Sequence, residues 1–155
     1  MLRANDEALY GSTHAGGSYN GGRVFKLNQD GSGYRVLHDL RGADGYEPVT
    51  ALVEGRDGML YGTTIRGGTF DQGTVFKIGK DGGNFSLLHS FPDISGSPWG
   101  GIVEGRDGVL YGTTFNYGNQ QFGTVFSLNE DGTGFTLCIV SPARIETTRD
   151  RTRTW

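Results

Sequence analysis

The side chains in this sequence best suited to chemistry come in duplicate. Glu54 and Glu104 each precede the same Gly-Arg-Asp-Gly run. Two carboxylates hydrolyse a glycosidic bond when they face each other across a sugar ring, which equivalent residues of neighbouring repeats could do only near a shared axis. His38 and His89 also match in position. Histidine moves protons near neutral pH, but a duplicated one is expected to pack or cap a strand. Asn28-Gln29-Asp30-Gly31 and Asn129-Glu130-Asp131-Gly132 share the opening of a calcium loop and lack its further Asp/Asn series and closing Glu. The single cysteine, Cys138, allows no internal disulfide and reads as a small buried hydrophobe. There is no HExxH, CxxC or P-loop pattern, and Ser, His and Asp have no triad spacing. The reading is therefore non-catalytic, with no metal ligand and no cofactor.

Duplication calls for an account of the elements beneath it. Leu9 to Phe25, Leu60 to Phe76 and Leu110 to Phe126 are three versions of one frame. Tyr10, Tyr61 and Tyr111 are 51 and 50 residues apart, as are Phe25, Phe76 and Phe126. A period of this size marks a solenoid, a propeller or another array. One full unit, Pro48 to Ser97, reads as four strands near Thr50-Glu54, Met59-Thr64, Thr74-Gly79 and Phe85-Phe91. Asp57-Gly58 and Asp81-Gly82 lie between apolar runs, a short hairpin signal because Gly takes positive φ at no steric cost. Four antiparallel strands in about 50 residues is the size of a β-propeller blade. The expected fold class is all-β, with about three four-stranded blades over residues 1–47, 48–97 and 98–140. Because only Met1-Leu2 stand opposite Leu52-Val53, the first blade is expected to lack its first strand. Ser141-Trp155 matches no unit and reads as a polar, disordered tail. A little under three blades implies an incomplete propeller, one that needs self-association or further repeats to close a ring.

Composition narrows the partners. The 155 residues include 28 Gly, seven Tyr and nine Phe, which suits a turn-rich β protein. Formal net charge is −3. Leaving out the Arg-rich tail, 10 basic side chains face 15 acidic ones. That balance excludes a nucleic-acid backbone binder, which needs a basic face. No apolar run approaches a membrane span, and Asn5, Asp6 and Glu7 interrupt what would be a signal peptide.

LYGTT, then GG, GTVF, an Asp-Gly turn and LLHSF together resemble the GloVer tandem-repeat family of bacterial proteins. The resemblance runs from Leu9 to Leu137. It implies propeller-like repeats in an exported or surface-attached protein, although neither a secretion signal nor an anchor is visible. It carries over no catalytic residues.

Function is expected where the frame varies. Alternate connections of an antiparallel blade fall on opposite ends, so the short Asp-Gly turns share one end and the longer loops the other. Loops on a rigid scaffold are the usual carriers of function. The candidate ligand-binding residues are His14, Tyr19 and Asn20; Tyr46; Arg66, Phe70 and Asp71; Trp99; and Asn116, Tyr117 and Gln120. Aromatic faces beside amides and carboxylates suit a carbohydrate, and equally a protein surface. The alternative is a fragment of a propeller enzyme acting on polysaccharide, as a glycosidase or lyase.

Overall fold

A computed structural model describes residues 1–92, 97–115 and 123–139. The expected tail and the loop residues Asn116, Tyr117 and Gln120 lie outside the described residues. The strands are β1 Leu2–Arg3, β2 Leu9–Thr13, β3 Arg23–Leu27, β4 Arg35–Asp39, β5 Val53–Glu54, β6 Leu60–Thr64, β7 Thr74–Ile78, β8 Ser86–Ser90, β9 Ile102–Glu104, β10 Val109–Thr114, β11 Thr124–Asn129 and β12 Thr136–Ile139. They form three four-stranded antiparallel sheets, β1–β4, β5–β8 and β9–β12, each in simple sequential order. β5 and β6 both touch β9, so the second and third sheets meet at the first strand of the third, as propeller-like blades do.

The expectation that the first blade lacks a strand is wrong. β1 is present and pairs Leu2 with Tyr10 and Arg3 with Leu9. The ladder at this edge needs only two residues, as it does in β5, where Val53 pairs with Tyr61 and Glu54 with Leu60. Of the expected strand Thr50-Glu54, residues 50–52 lead into the ladder and only Val53–Glu54 form it.

The expected hairpins form where Asp-Gly places them. Gly58, Gly82, Gly108 and Gly132 all take positive φ, between 77° and 87°. In the β5–β6 turn Asp57 accepts the Met59 N–H at 2.9 Å and the Tyr61 hydroxyl at 2.8 Å. Tyr10 donates likewise to Asp6 at 2.8 Å, and Tyr111 to Asp107 at 2.9 Å. Burial holds the Tyr61 phenol far above its ordinary pKa, and the bond to Asp57 adds to the effect. The repeated Tyr and Asp are therefore one turn clamp.

The core lies between blades. In the first seam Tyr10, Val24 and Leu40 pack against Leu52, Leu60, Phe76 and Ile78. In the second, Tyr61, Val75 and Phe91 pack against Ile102, Leu110, Phe126 and Leu128. β6 is buried at every position because both faces of the middle blade are covered, whereas β10 alternates. Both seams are clasped the same way: the Asn5 N–H reaches Glu54 Oε2 and the Arg56 N–H reaches Glu104 Oε2, each at 2.8 Å. Lys80 pairs with Glu54 and Arg56 with Glu104. The duplicated glutamates are thus seam residues.

The duplicated histidines also sit in the seams. His38 stacks on Phe85 with ring centroids 4.0 Å apart, and His89 on Phe135 at 3.6 Å. Their surroundings differ in one respect. His38 Nε2 lies 3.0 Å from Asp44, while the buried His89 Nε2 has no hydrogen-bond partner among the described residues.

Two outcomes follow from this packing. Phe76→Ala empties a fully buried position and is expected to cost about 3–5 kcal/mol in urea unfolding. Gly62→Ala places a Cβ 2.5 Å from Phe76 Cζ and 2.8 Å from a Leu52 methyl, so it is also destabilising, by about 1–3 kcal/mol. The second outcome concerns acid. Burial pushes the His89 pKa below the ordinary imidazole value, so the unfolded chain takes up the proton more readily. Stability is full above about pH 6.5 and falls as pH drops toward the lower folded pKa. His89→Leu is expected to flatten that slope in unfolding curves taken at stepped pH. An unchanged slope would place the acid sensitivity elsewhere.

Candidate functional site

The longer connections gather at the end of the blades opposite the Asp-Gly turns. Their backbone is fixed from within. Asn20 and Asp71 hold equivalent places in the β2–β3 and β6–β7 loops, and both take the left-handed conformation, with φ of 54° and 58°. Short polar side chains tolerate that region better than most. Each side chain accepts a glycine N–H four residues back, Asn20 from Gly16 at 3.2 Å and Asp71 from Gly67 at 2.9 Å. The loops are also tied to the fourth strands, Ser18 to Asp39 and Thr69 to Ser90.

The connection between the first two blades is laced to the β6–β7 loop. Tyr46 and Arg66 form an isolated antiparallel bridge, with backbone bonds of 2.9 and 3.3 Å. The Tyr46 hydroxyl donates to Asp71 at 2.7 Å. Arg66 lies 3.4 Å from Glu47 and 3.7 Å from Asp71. The Tyr46 bond, then the Gly67 N–H and the Arg66 charge, hold the Asp71 carboxyl below its ordinary pKa. The same bond raises the Tyr46 phenol.

Two depressions flank this laced ridge. The larger, about 490 Å³, is lined by His14, Glu47, Arg66, Asp71, Gln72 and Trp99. Trp99 is 54% exposed and leans on Phe115 at 5.7 Å and 42°. The smaller, about 320 Å³, is lined by Tyr19, Asn20, Arg41, Tyr46 and Glu47. Arg41 covers the Tyr19 ring at 5.8 Å.

The structure thus brings His14, Arg66, Asp71 and Trp99 to one hollow and Tyr19, Asn20 and Tyr46 to the other. Phe70 is exposed and lines neither. Glu47, absent from the candidates, borders both hollows at a left-handed φ of 59°. Nothing in its sequence neighbourhood signals that conformation. Among the described residues no three His, Cys, Asp or Glu side chains are grouped to hold a metal, and no helix is long and apolar enough to cross a membrane.

A family model described as the Gloeobacter/Verrucomicrobia repeat matches residues 1–148. The chain belongs to that repeat family. No curated protein matches it. The match spans all three blades, so the Gloeobacter/Verrucomicrobia repeat contains both the invariant frame and the loops that vary within it.

The ridge makes a definite prediction. Tyr46→Phe removes the hydroxyl bond to Asp71 and is expected to cost about 0.5–1.5 kcal/mol. The Asp71 carboxyl, followed by NMR titration, should move up toward its ordinary pKa. Its depressed pKa contributes stability above about pH 3.9 that is lost as pH falls through the folded value, so the variant should show less of that acid loss. An unmoved titration would mean that Gly67 and Arg66 alone hold the charge.

Proposed function

We propose that this chain is a non-catalytic binding module of an exported or surface-attached bacterial protein, and that its loop end binds carbohydrate. The observation that carries the reading is the 490 Å³ hollow, to which loops of two blades and both interblade connections contribute. Its one large exposed aromatic, Trp99, offers a flat apolar face of the kind that stacks on sugar C–H groups. Gln72 and His14 supply hydrogen-bonding edges beside it. Arg66 is already paired with Glu47 and Asp71, which leaves one carboxylate charge in excess and disfavours an anionic ligand. Because the loops are braced by their own hydrogen bonds, little conformational freedom is lost on binding. The exported location rests on the resemblance to GloVer repeats.

A glycan and peptide array, followed by calorimetry on any hit, tests the reading. Trp99→Ala is expected to weaken a saccharide at least about tenfold while leaving the thermal midpoint nearly unchanged, because the ring is largely outside the core. The bound oligosaccharide should be recovered intact. Peptide hits without glycan hits would overturn the ligand class, and shortened oligosaccharides would overturn the non-catalytic part.

A further inference from the structure

We propose, resting on the carbohydrate reading of this end, that Glu47 is its specificity-determining residue. The ligand is then a chain of sugars that lies across both hollows and donates its hydroxyls to the Glu47 carboxylate. Among the described residues Glu47 is the one that lines both hollows. At about 490 and 320 Å³, each is within the roughly 300–1,000 Å³ of small-molecule sites. Each also carries one large exposed aromatic, Trp99 in the larger and Tyr19 in the smaller. Two aromatic faces with an acceptor between them suit two separate rings of one oligosaccharide.

The backbone at Glu47 does not call for a glutamate. Its N–H donates to the Gly21 carbonyl at 2.9 Å, and its own carbonyl accepts the Ile65 N–H at 3.3 Å, so it is held between loops of two blades. Held there, it takes a left-handed φ of 59°, and Pro48 follows it. Gly, Asn and Asp tolerate that region better than a long side chain, and a following proline restricts the residue before it further. Among the described residues the other non-glycine positions with positive φ are Asn20, Asp71 and Asn84, which are of the tolerant types, and Glu7. Asn20 and Asp71 use their side chains to close their own loops, and Glu7 is held by Arg3 and Gln29. The Glu47 side chain closes no loop among the described residues.

Its carboxylate has acceptor capacity to spare. Arg66 stands 3.4 Å away, and among the described residues no hydrogen bond reaches either oxygen. Asp71, which shares Arg66, takes bonds from the Tyr46 hydroxyl and the Gly67 N–H. The Arg66 side chain is 56% exposed, and an ion pair of that kind adds little to folding. A long acid kept at a strained position, where glycine would fit and little stability is gained, points to a use for the acid itself. An ionised carboxylate accepts at two oxygens, which matches two adjacent hydroxyls of a sugar, and such charge-assisted bonds are stronger than neutral ones. Placed between Tyr19 and Trp99, Glu47 fixes the register of the chain and selects which hydroxyls it must carry.

Calorimetry of the full chain with cello-, manno-, xylo- and chito-oligosaccharides, from single sugars up to hexamers, tests this. In at least one series the longer oligomers are expected to bind at least about tenfold tighter than the single sugar. Glu47→Gln should weaken the best binder about tenfold to a hundredfold and leave the thermal midpoint unchanged. Tyr19→Ala should weaken the longer oligomers as well. Glu47→Gly relieves the backbone, so it should lose the ligand while its midpoint stays at or above the parent value. A lower midpoint in the glycine variant would make Glu47 a folding residue and overturn the proposal. Single sugars that bind as tightly as oligomers, or a Glu47→Gln variant that binds like the parent while Trp99→Ala does not, would overturn it and leave the carbohydrate reading standing. If no series binds the parent chain, both fall.

Discussion

The structure depends on a phenylalanine lying across a glycine. In each blade the Gly of the second strand is paired in register with the Phe of the third: Gly11 with Phe25, Gly62 with Phe76, Gly112 with Phe126. A Cβ on any of these glycines would stand 2.3 to 2.7 Å from the tip of the ring opposite. The ring can therefore lie down over the neighbouring strand only because that strand has no side chain there. Lying flat, Phe76 and Phe126 complete an even apolar face, and the preceding blade packs against it. The LYG of one strand and the VF of the next are the two halves of a single contact. A change in either half spoils the seam, which is why neither varies among the copies.

The polar part of the frame serves the same end. Each blade must hold an inner strand of only two or three residues in place, which a ladder that short does weakly by itself. The Tyr–Asp clamp fixes the turn after it, and the glutamate clasp fastens the turn to the next blade. Carboxylates that looked like chemistry in the sequence are occupied with this work. Repeat arrays divide their stability between units and the contacts of neighbouring units, and here the seams bury most of the large apolar side chains.

Much of this was legible because it is local. Asp-Gly turns, strand alternation and a 50-residue period are properties of short stretches, and the blades follow from them. What misled was a count: the first strand was sought as a run of apolar residues like Leu52-Val53, whereas the ladder needs only Leu2 and Arg3. The stacking of His38 on Phe85 could not be read, since it depends on how far one blade is turned against the next. The loops were harder for another reason. Their exposed end was predictable, but Asp71 and Tyr46 have the residue types of ligand contacts and bond first to each other. Sequence reports which groups a loop carries and leaves open which of them its own folding consumes.

That consumption is what separates the two kinds of variation among the loops. Asn20 and Asp71 differ in charge, yet both accept a glycine N–H from the same left-handed position, so this difference is tolerated by the backbone. Trp99 is another matter. It lies outside both core clusters and is more than half exposed beside the larger hollow. A large aromatic held in water gains nothing for folding from the surface it leaves exposed. Tyr19, Phe70 and Phe115 are as exposed, but among the residues lining the larger hollow Trp99 is the large aromatic, and this is the placement on which the proposed binding reading rests. On the proposed carbohydrate reading, the braced ridge of Tyr46, Arg66 and Asp71 would serve as a rigid wall of the hollow, already fixed by its own bonds.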